Sequence, residues 1–356
     1  MISVCALPVC ALPLLAANNM TGTLPPELGL LEELVELELF NNQIQGNLPQ
    51  KMIHLRKLTH LAIQGNSLNG PIPEWINRLQ SLTVLAMGSN NFIGTLPSSL
   101  AQLSLIELFL NDNKLSGDIG MLKSISTLKM MYMQNNEFTG KLDDLFHGSI
   151  NEFEEIDLSN NKLSGTIPPG LLNMRILDLH DNMITGSFPR VGFDFFGVEF
   201  LALHNNRLEG HLSSELSRLQ KLTHLDLSLN NFQGTMPELK RMTQLSYLFL
   251  AKNKFDEGPI PEDWSNLVNL KELSLKDTRR TGTIPSFFGS FVRHLTQLDL
   301  AENKFGGELP PEIGDLWNCS FMLLNNNQLT GYIPRSLNRL SNLGEFPIHP
   351  SWNVFC

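Results

Sequence analysis

Apolar and polar residues along this chain repeat as one unit, L-x-x-L-x-L-x-x-N-x-L-x-G-x-I/L-P. One copy is carried by Leu58, Leu61, Ile63, Asn66, Leu68, Gly70, Ile72 and Pro73, and another by Leu295, Leu298, Leu300, Asn303, Phe305, Gly307, Leu309 and Pro310. The glycine recurs at Gly22, Gly46, Gly70, Gly94, Gly117, Gly140, Gly165, Gly186, Gly210, Gly234, Gly258, Gly282, Gly307 and Gly331, giving fourteen units with steps of 21 to 25 residues. A period of this length marks stacked repeats that share one continuous core.

Each part of the unit predicts an element. L-x-L is a short strand whose leucines point inward, leaving the x positions in solvent. The Asn ends the strand and turns inward, where its amide can bond unpaired backbone groups of its own coil and the next. Gly permits the backbone geometry that follows. The I/L-P step favours an extended flank, and P-x-x-L-x-x-L supplies a helical turn on the outer side.

The L-x-G-x-I-P signature resembles the plant-specific class of leucine-rich repeats, found in receptor-like kinase ectodomains, receptor-like proteins and polygalacturonase-inhibiting proteins. The resemblance covers nearly the whole chain. It implies an α/β repeat fold, a right-handed solenoid with a parallel β-sheet on its concave face and 3₁₀ or short helices on its convex face. The expected organisation is an apolar segment over 1–9, the solenoid over 10–345 and an edge or cap over 346–356. Residues 1–17 resemble a secretion signal, but they lack a basic start and carry Pro8 and Pro13. Cleavage after Ala17 would remove the first strand, so an edge strand is expected there instead. Leu343, Phe346 and Ile348 read as a last strand, with Trp352 and Phe355 over the exposed core.

Several departures stand out. Repeat 11 has one extra residue in Phe255-Asp256-Glu257-Gly258, and repeat 12 replaces the motif Asn with Thr278, followed by Arg279 and Arg280. These arginines read as a local contact point or as partners of Asp277. The step to Gly186 is short, and Phe193, Phe195 and Phe196 beside it read as packing on the outer side. Cys319 occupies a consensus leucine position and reads as a buried thiol. The four cysteines form no zinc spacing.

The register also names the outward residues of each strand. Taking the last four outward positions before the motif Asn or its replacement, repeats 2 to 14 carry thirteen acids: Glu36, Glu38, Glu107, Asp112, Glu155, Asp157, Asp178, Asp181, Asp226, Glu272, Asp277, Asp299 and Glu302. The same positions carry only two bases, Lys252 and Lys276. The chain's net charge of −10 therefore resides on the concave face. That balance argues against nucleic acid and suits a basic partner, although solubility alone also calls for polar residues there.

Outward aromatics are the stronger binding candidates, because a solvated strand face does not need them. Phe109, Met130 and Tyr132 fall on repeats 5 and 6. Tyr247 and Phe249 fall on repeat 11, with Phe200 two repeats earlier. His180 and His204 share a column on adjacent repeats, with Asp178, Asp181, His224 and Asp226 around them and Asp157 nearby. The sequence alone imposes no coordination geometry on them, so neither a metal nor another cofactor is expected. No G-x-S-x-G, H-E-x-x-H or phosphate-binding loop occurs, so no enzyme is expected either.

The reading is a non-catalytic module that binds a protein or peptide across the acidic face, in an extracellular or cell-surface setting, with the cytoplasm left open. The alternatives are an inhibitor of an extracellular wall-degrading hydrolase, the ectodomain fragment of a receptor-like kinase, and a structural scaffold. No apolar stretch is long enough to span a membrane.

Overall fold

The computed structural model describes residues 10–12, 15–146, 153–191, 197–291 and 294–344. The expectations for Phe193, Phe195 and Phe196, for segment 1–9 and for 345–356 lie outside these residues. The chain divides into two compact units, Met1–Pro168 and Pro169–Cys356.

In the first unit, seven short strands are each followed by a turn, a flank and a one-turn helix. The strands are Cys10–Leu12, Leu34–Glu38, His60–Ala62, Val84–Ala86, Glu107–Phe109, Met130–Tyr132 and Glu155–Asp157. They pair in parallel, with a register shift between Cys10 and Ala11 and otherwise residue for residue, as in Leu61 with Leu85 and Met131 with Ile156. The second unit repeats the plan with Ile176–Asp178, Phe200–Ala202, His224–Asp226, Tyr247–Phe249, Glu272–Ser274, Gln297–Asp299 and Phe321–Leu323. This is the predicted leucine-rich-repeat solenoid.

The inward leucines are fully buried: Leu58, Leu61, Ile63, Leu68, Ile76 and Leu79 have no exposed surface. Each such side chain contributes about 1.5–3 kcal/mol by leaving water. The outer turns are mostly five-residue 3₁₀ helices, for example Gln50–His54 and Ser214–Arg218. Most follow a proline held extended, as at Pro49 (φ −71°, ψ 135°).

The motif asparagines form a ladder. Asn206 Nδ2 donates to Leu203 O in its own coil (3.2 Å) and to Leu179 O in the preceding coil (2.9 Å), while its Oδ1 accepts from Ile184 N (2.9 Å). Asn66 does the same with Ile63, Leu39 and Ile44. The neighbour bridged is thus the preceding coil, not the next one expected from the sequence.

Two features go beyond the expectation of one sheet and a glycine turn. The flanks themselves pair into a second parallel set, from Thr21–Thr23 through Gln43–Gly46 to Glu137–Thr139 in the first unit, and from Thr185–Ser187 to Asn231–Gln233 in the second. The residue just before each motif Asn is also left-handed, at Asn41, Asp112, Asn135, Asn160, Asp181, Asn205, Asp277 and Asn326 among others. Asn and Asp tolerate that conformation best after glycine, and Gly65 takes the position in repeat 3.

Arg280 corrects the sequence reading. It is neither a surface contact nor a partner of Asp277 but is 1% exposed, in the inward position that leucine or phenylalanine takes elsewhere. Its guanidinium donates to the carbonyls of Thr278 (3.0 Å from Nε), Gly258 (3.0 Å) and Asp256. Asp256 and Gly258 flank the extra residue of repeat 11, where Gly258 is the one motif glycine without a positive φ. The arginine one coil later thus reaches the carbonyls on either side of the insertion, with Gly258 O also accepting from Thr281 N (3.0 Å). Thr278 Oγ donates to Leu275 O (2.7 Å) in place of the missing amide, and Asn303 Oδ1 accepts from Thr278 N and Arg280 N. Burial pushes the guanidinium down to about 10, partly offset by the Asp256 carboxylate.

Replacing Arg280 with the consensus leucine will therefore destabilise the chain by about 2–3 kcal/mol, because it removes the charge-assisted bonds from the guanidinium to the Thr278, Gly258 and Asp256 carbonyls. Deleting Glu257 in the same chain will recover part of that loss. Urea denaturation of the single and double variants measures the coupling, and strictly additive effects would refute the compensation.

Candidate functional site

The outward side chains of adjacent strands stand one strand spacing apart, about 4.8 Å, so the fold brings same-column rings into contact. In the first unit Tyr132 is in register with Phe109, their ring centroids 5.3 Å apart and tilted by 35°. Met130 lies on the same strand and Asp157 pairs with Tyr132 on the next. All four are half-buried on the strand face. The Tyr132 hydroxyl donates to the Glu155 carboxylate, which is 6% exposed. Glu155 was expected to face solvent with the other acids. It is covered instead, because it sits diagonally from Tyr132 on the adjacent strand, within reach of a long aromatic side chain.

In the second unit Phe200, His224 and Tyr247 are in register on three successive strands. Phe200 stacks on His224 at 4.4 Å and 19°; Tyr247 and Phe249 meet the same imidazole at 5.4 Å and 5.7 Å. Lys271 Nζ lies 5.9 Å from the Tyr247 ring centroid, in cation–π range. His224 thus joins the aromatic cluster, not the other histidines with which the sequence grouped it, and it links Phe200 to Tyr247. His180 and His204 form a separate stack at 4.3 Å and 10°.

The outward aspartates have local duties that the sequence reading missed. Oδ1 of Asp157, Asp178, Asp226 and Asp299 accepts from the backbone N–H two residues on, at Ser159 (3.0 Å), His180 (3.1 Å), Ser228 (2.9 Å) and Ala301 (3.0 Å). This Asx arrangement stabilises the turn that the strand enters. The L-D-L pattern ahead of each turn is the signal that could have shown it. Burial pushes the Asp299 carboxyl above its usual value, with Ala301 N–H and Lys276 partly offsetting this. Lys276 is raised chiefly by its hydrogen bond to Glu302 (3.0 Å). Cys319 is a buried thiol, as expected, and burial pushes it up to about 11.

The repeat, its parallel strands and its asparagine ladder define a leucine-rich-repeat protein. Leucine-rich-repeat family models match residues 57–79, 81–103, 152–174, 218–235, 269–291 and 294–316. Receptor-like protein 35 of Arabidopsis thaliana is 34% identical over 238 residues, which is 61% of this chain and 25% of that protein. Among solved structures, PEPR1–AtPEP1 matches with a TM-score of 0.89 and 29% identity, over 96% of this chain and 48% of the other. The plant peptide hormone receptor RGFR1 in complex with RGF2 matches with a TM-score of 0.86 and 33% identity, over 96% and 55%. The chain thus spans about half of those receptor chains and a quarter of that relative. Among the described residues no helix is long and apolar enough to cross a membrane.

Burial against its aromatic neighbours holds the His224 imidazole below the ordinary histidine value of 6.5; Asp226 and Asp178 oppose this and His204 adds to it. The native state therefore binds fewer protons than the unfolded state just below that value, so this contribution to stability is complete above it and is lost on acidification through it. Melting temperature will fall between about pH 7.5 and about pH 5.5, and His224→Phe will shrink the fall. An unchanged difference in the variant, followed by circular dichroism, would contradict the assignment.

Proposed function

We propose that this chain is a non-catalytic recognition module of the receptor-like kind, acting outside the cell or at its surface, that binds a peptide or protein on its strand face. The observation that carries this reading is the half-exposed ring cluster of Phe200, His224, Tyr247 and Phe249. A solvated strand face needs no such rings, whereas interfaces concentrate aromatic anchors. An extended peptide laid across successive strands would meet one outward column per repeat. The likeness to a peptide hormone receptor in complex with its ligand supports the same class of partner. Phe109, Met130, Tyr132 and Asp157 make a contact surface in the first unit. Asp178, His180, His204 and Asp226 extend the one in the second.

The acidic character of the face favours a basic ligand. Charges on neighbouring strands lie within the Debye length of about 8–10 Å and act together on an approaching cation. The aromatic rings supply affinity, and the acids supply steering and salt dependence.

The test is a panel of synthetic secreted-type peptides, basic and neutral, screened against the immobilised chain by biolayer interferometry. For any peptide bound, Tyr247→Ala combined with Phe249→Ala will weaken affinity at least about tenfold. Unchanged affinity in that variant and in Phe109→Ala/Tyr132→Ala would remove the strand face as the site. Stoichiometric inhibition of a wall-degrading hydrolase would replace this reading with the inhibitor.

A further inference from the structure

We infer that His180, His204 and Asp181, on the strand face of the second unit, form a binding site for a borderline divalent transition-metal ion of the zinc class. This does not rest on the recognition reading, because the probe is the metal alone.

The register creates the site. Ile176–Asp178 pairs in parallel with Phe200–Ala202, with Asp178 opposite Ala202. The residues two further on, His180 and His204, therefore stand side by side with their rings stacked. The turn after the first strand then places Asp181 in the left-handed region (φ 51°), which swings its carboxylate beside the same rings. Asp181 Oδ2 lies 3.6 Å from His180 Nε2. Its other oxygen accepts from Asn205 Nδ2, which fixes the carboxylate's direction. One ligand atom from each of His180, Asp181 and His204 lies within 4.8 Å of the other two.

One carboxylate orients the His180 imidazole, and a second lies beside the His204 imidazole. Asp178 Oδ1 is 2.5 Å from His180 Nδ1. Asp226 Oδ2, one strand beyond His204, is 3.1 Å from His204 Nδ1, close enough for the ring to reach it by rotating. An Nδ1–H held by a carboxylate fixes the tautomer, leaves the Nε2 lone pair for a metal and raises its basicity. Nothing else on this face repeats that pairing among the described residues: where Asp157 and Asp226 precede a serine, the hydroxyl simply bonds back to the aspartate.

The donor set selects the ion. Two imidazoles and one carboxylate suit zinc, copper or nickel, whereas calcium and magnesium ask for an oxygen shell. Ligands about 2.0–2.1 Å from one tetrahedral ion sit about 3.3 Å apart. Side-chain rotation must therefore draw the donors together by at most about 1.5 Å, which the half-exposed rings can accommodate. The three aspartates around the rings supply the negative charge that such an ion needs. Three protein ligands leave a coordination position open toward solvent, where a carboxylate or imidazole of a bound molecule could enter.

Isothermal titration calorimetry of the chelator-treated full chain with zinc chloride near pH 7.5 tests this, with cobalt absorption as the second readout. One ion will bind with a Kd of about 10 µM or tighter, and cobalt will develop the visible bands of a low-symmetry nitrogen–oxygen site. His180→Gln/His204→Gln will lose that binding at least thirtyfold, and Asp178→Asn will weaken it about tenfold through the imidazole it orients. Both variants are on the solvent side of the strands, and a retained melting temperature separates lost ligands from lost fold. Zinc heats and cobalt spectra that are the same in His180→Gln/His204→Gln as in the unaltered chain would overturn the site, as would the absence of saturable binding below about 1 mM.

Discussion

The fold depends on satisfying the backbone at the turn that closes each strand. A coil that brings its chain into an apolar interior every two dozen residues exposes turn carbonyls and amides to that interior, and each one left unpaired costs about 1–3 kcal/mol. An asparagine amide can both donate twice and accept from where the strand ends, so one side chain closes its own coil and grips the previous one. Threonine at 278 supplies only a hydroxyl, and Asn303 Oδ1 accepts from Thr278 N in addition to its ordinary ladder partner, Arg280 N. Two irregularities that look unrelated in the sequence, an inserted residue and a pair of arginines one repeat later, are one structural event.

Because the ladder and the leucines take the inward positions, variation falls mostly in the outward columns, with Thr278 and Arg280 as inward exceptions. The strand spacing of about 4.8 Å is also close to the contact distance of stacked rings. Residues two dozen apart in sequence then become a stack whenever their column matches, as with His180 and His204 or Phe200 and His224. The strand face is therefore an ordered surface of side-chain columns.

The strands, the inward leucines and the bonding role of the motif Asn were legible in the sequence because each repeats with a period that only one geometry satisfies. The outward columns are equally legible, and Phe200, Tyr247 and Phe249 lie on the strand face accordingly. Three things were not. The pairing of the flanks into a second sheet depends on backbone groups, which carry no residue signature. The burial of Glu155 and the regrouping of His224 depend on diagonal and same-column neighbours, which follow from register and not from proximity in the chain. The burial of Arg280 is not legible because an arginine in a leucine position looks like a surface break, and the carbonyls it binds belong to the preceding coil.

The acidity of the strand face separates into parts with different causes. Asp157, Asp178, Asp226 and Asp299 stand where a turn amide needs an acceptor. Asp112, Asp181 and Asp277 stand where the backbone must be left-handed. Glu302 is paired with Lys276, and Glu155 is covered by Tyr132. These acids have local structural reasons, and the field they create is a by-product of the repeat. Glu36, Glu38, Glu107 and Glu272 occupy strand positions that neither the Asx turns nor the left-handed column require. Any selection for a basic partner beyond the repeat's own chemistry is therefore written in those glutamates and in the aromatic rings between them, since they are what the fold leaves unexplained.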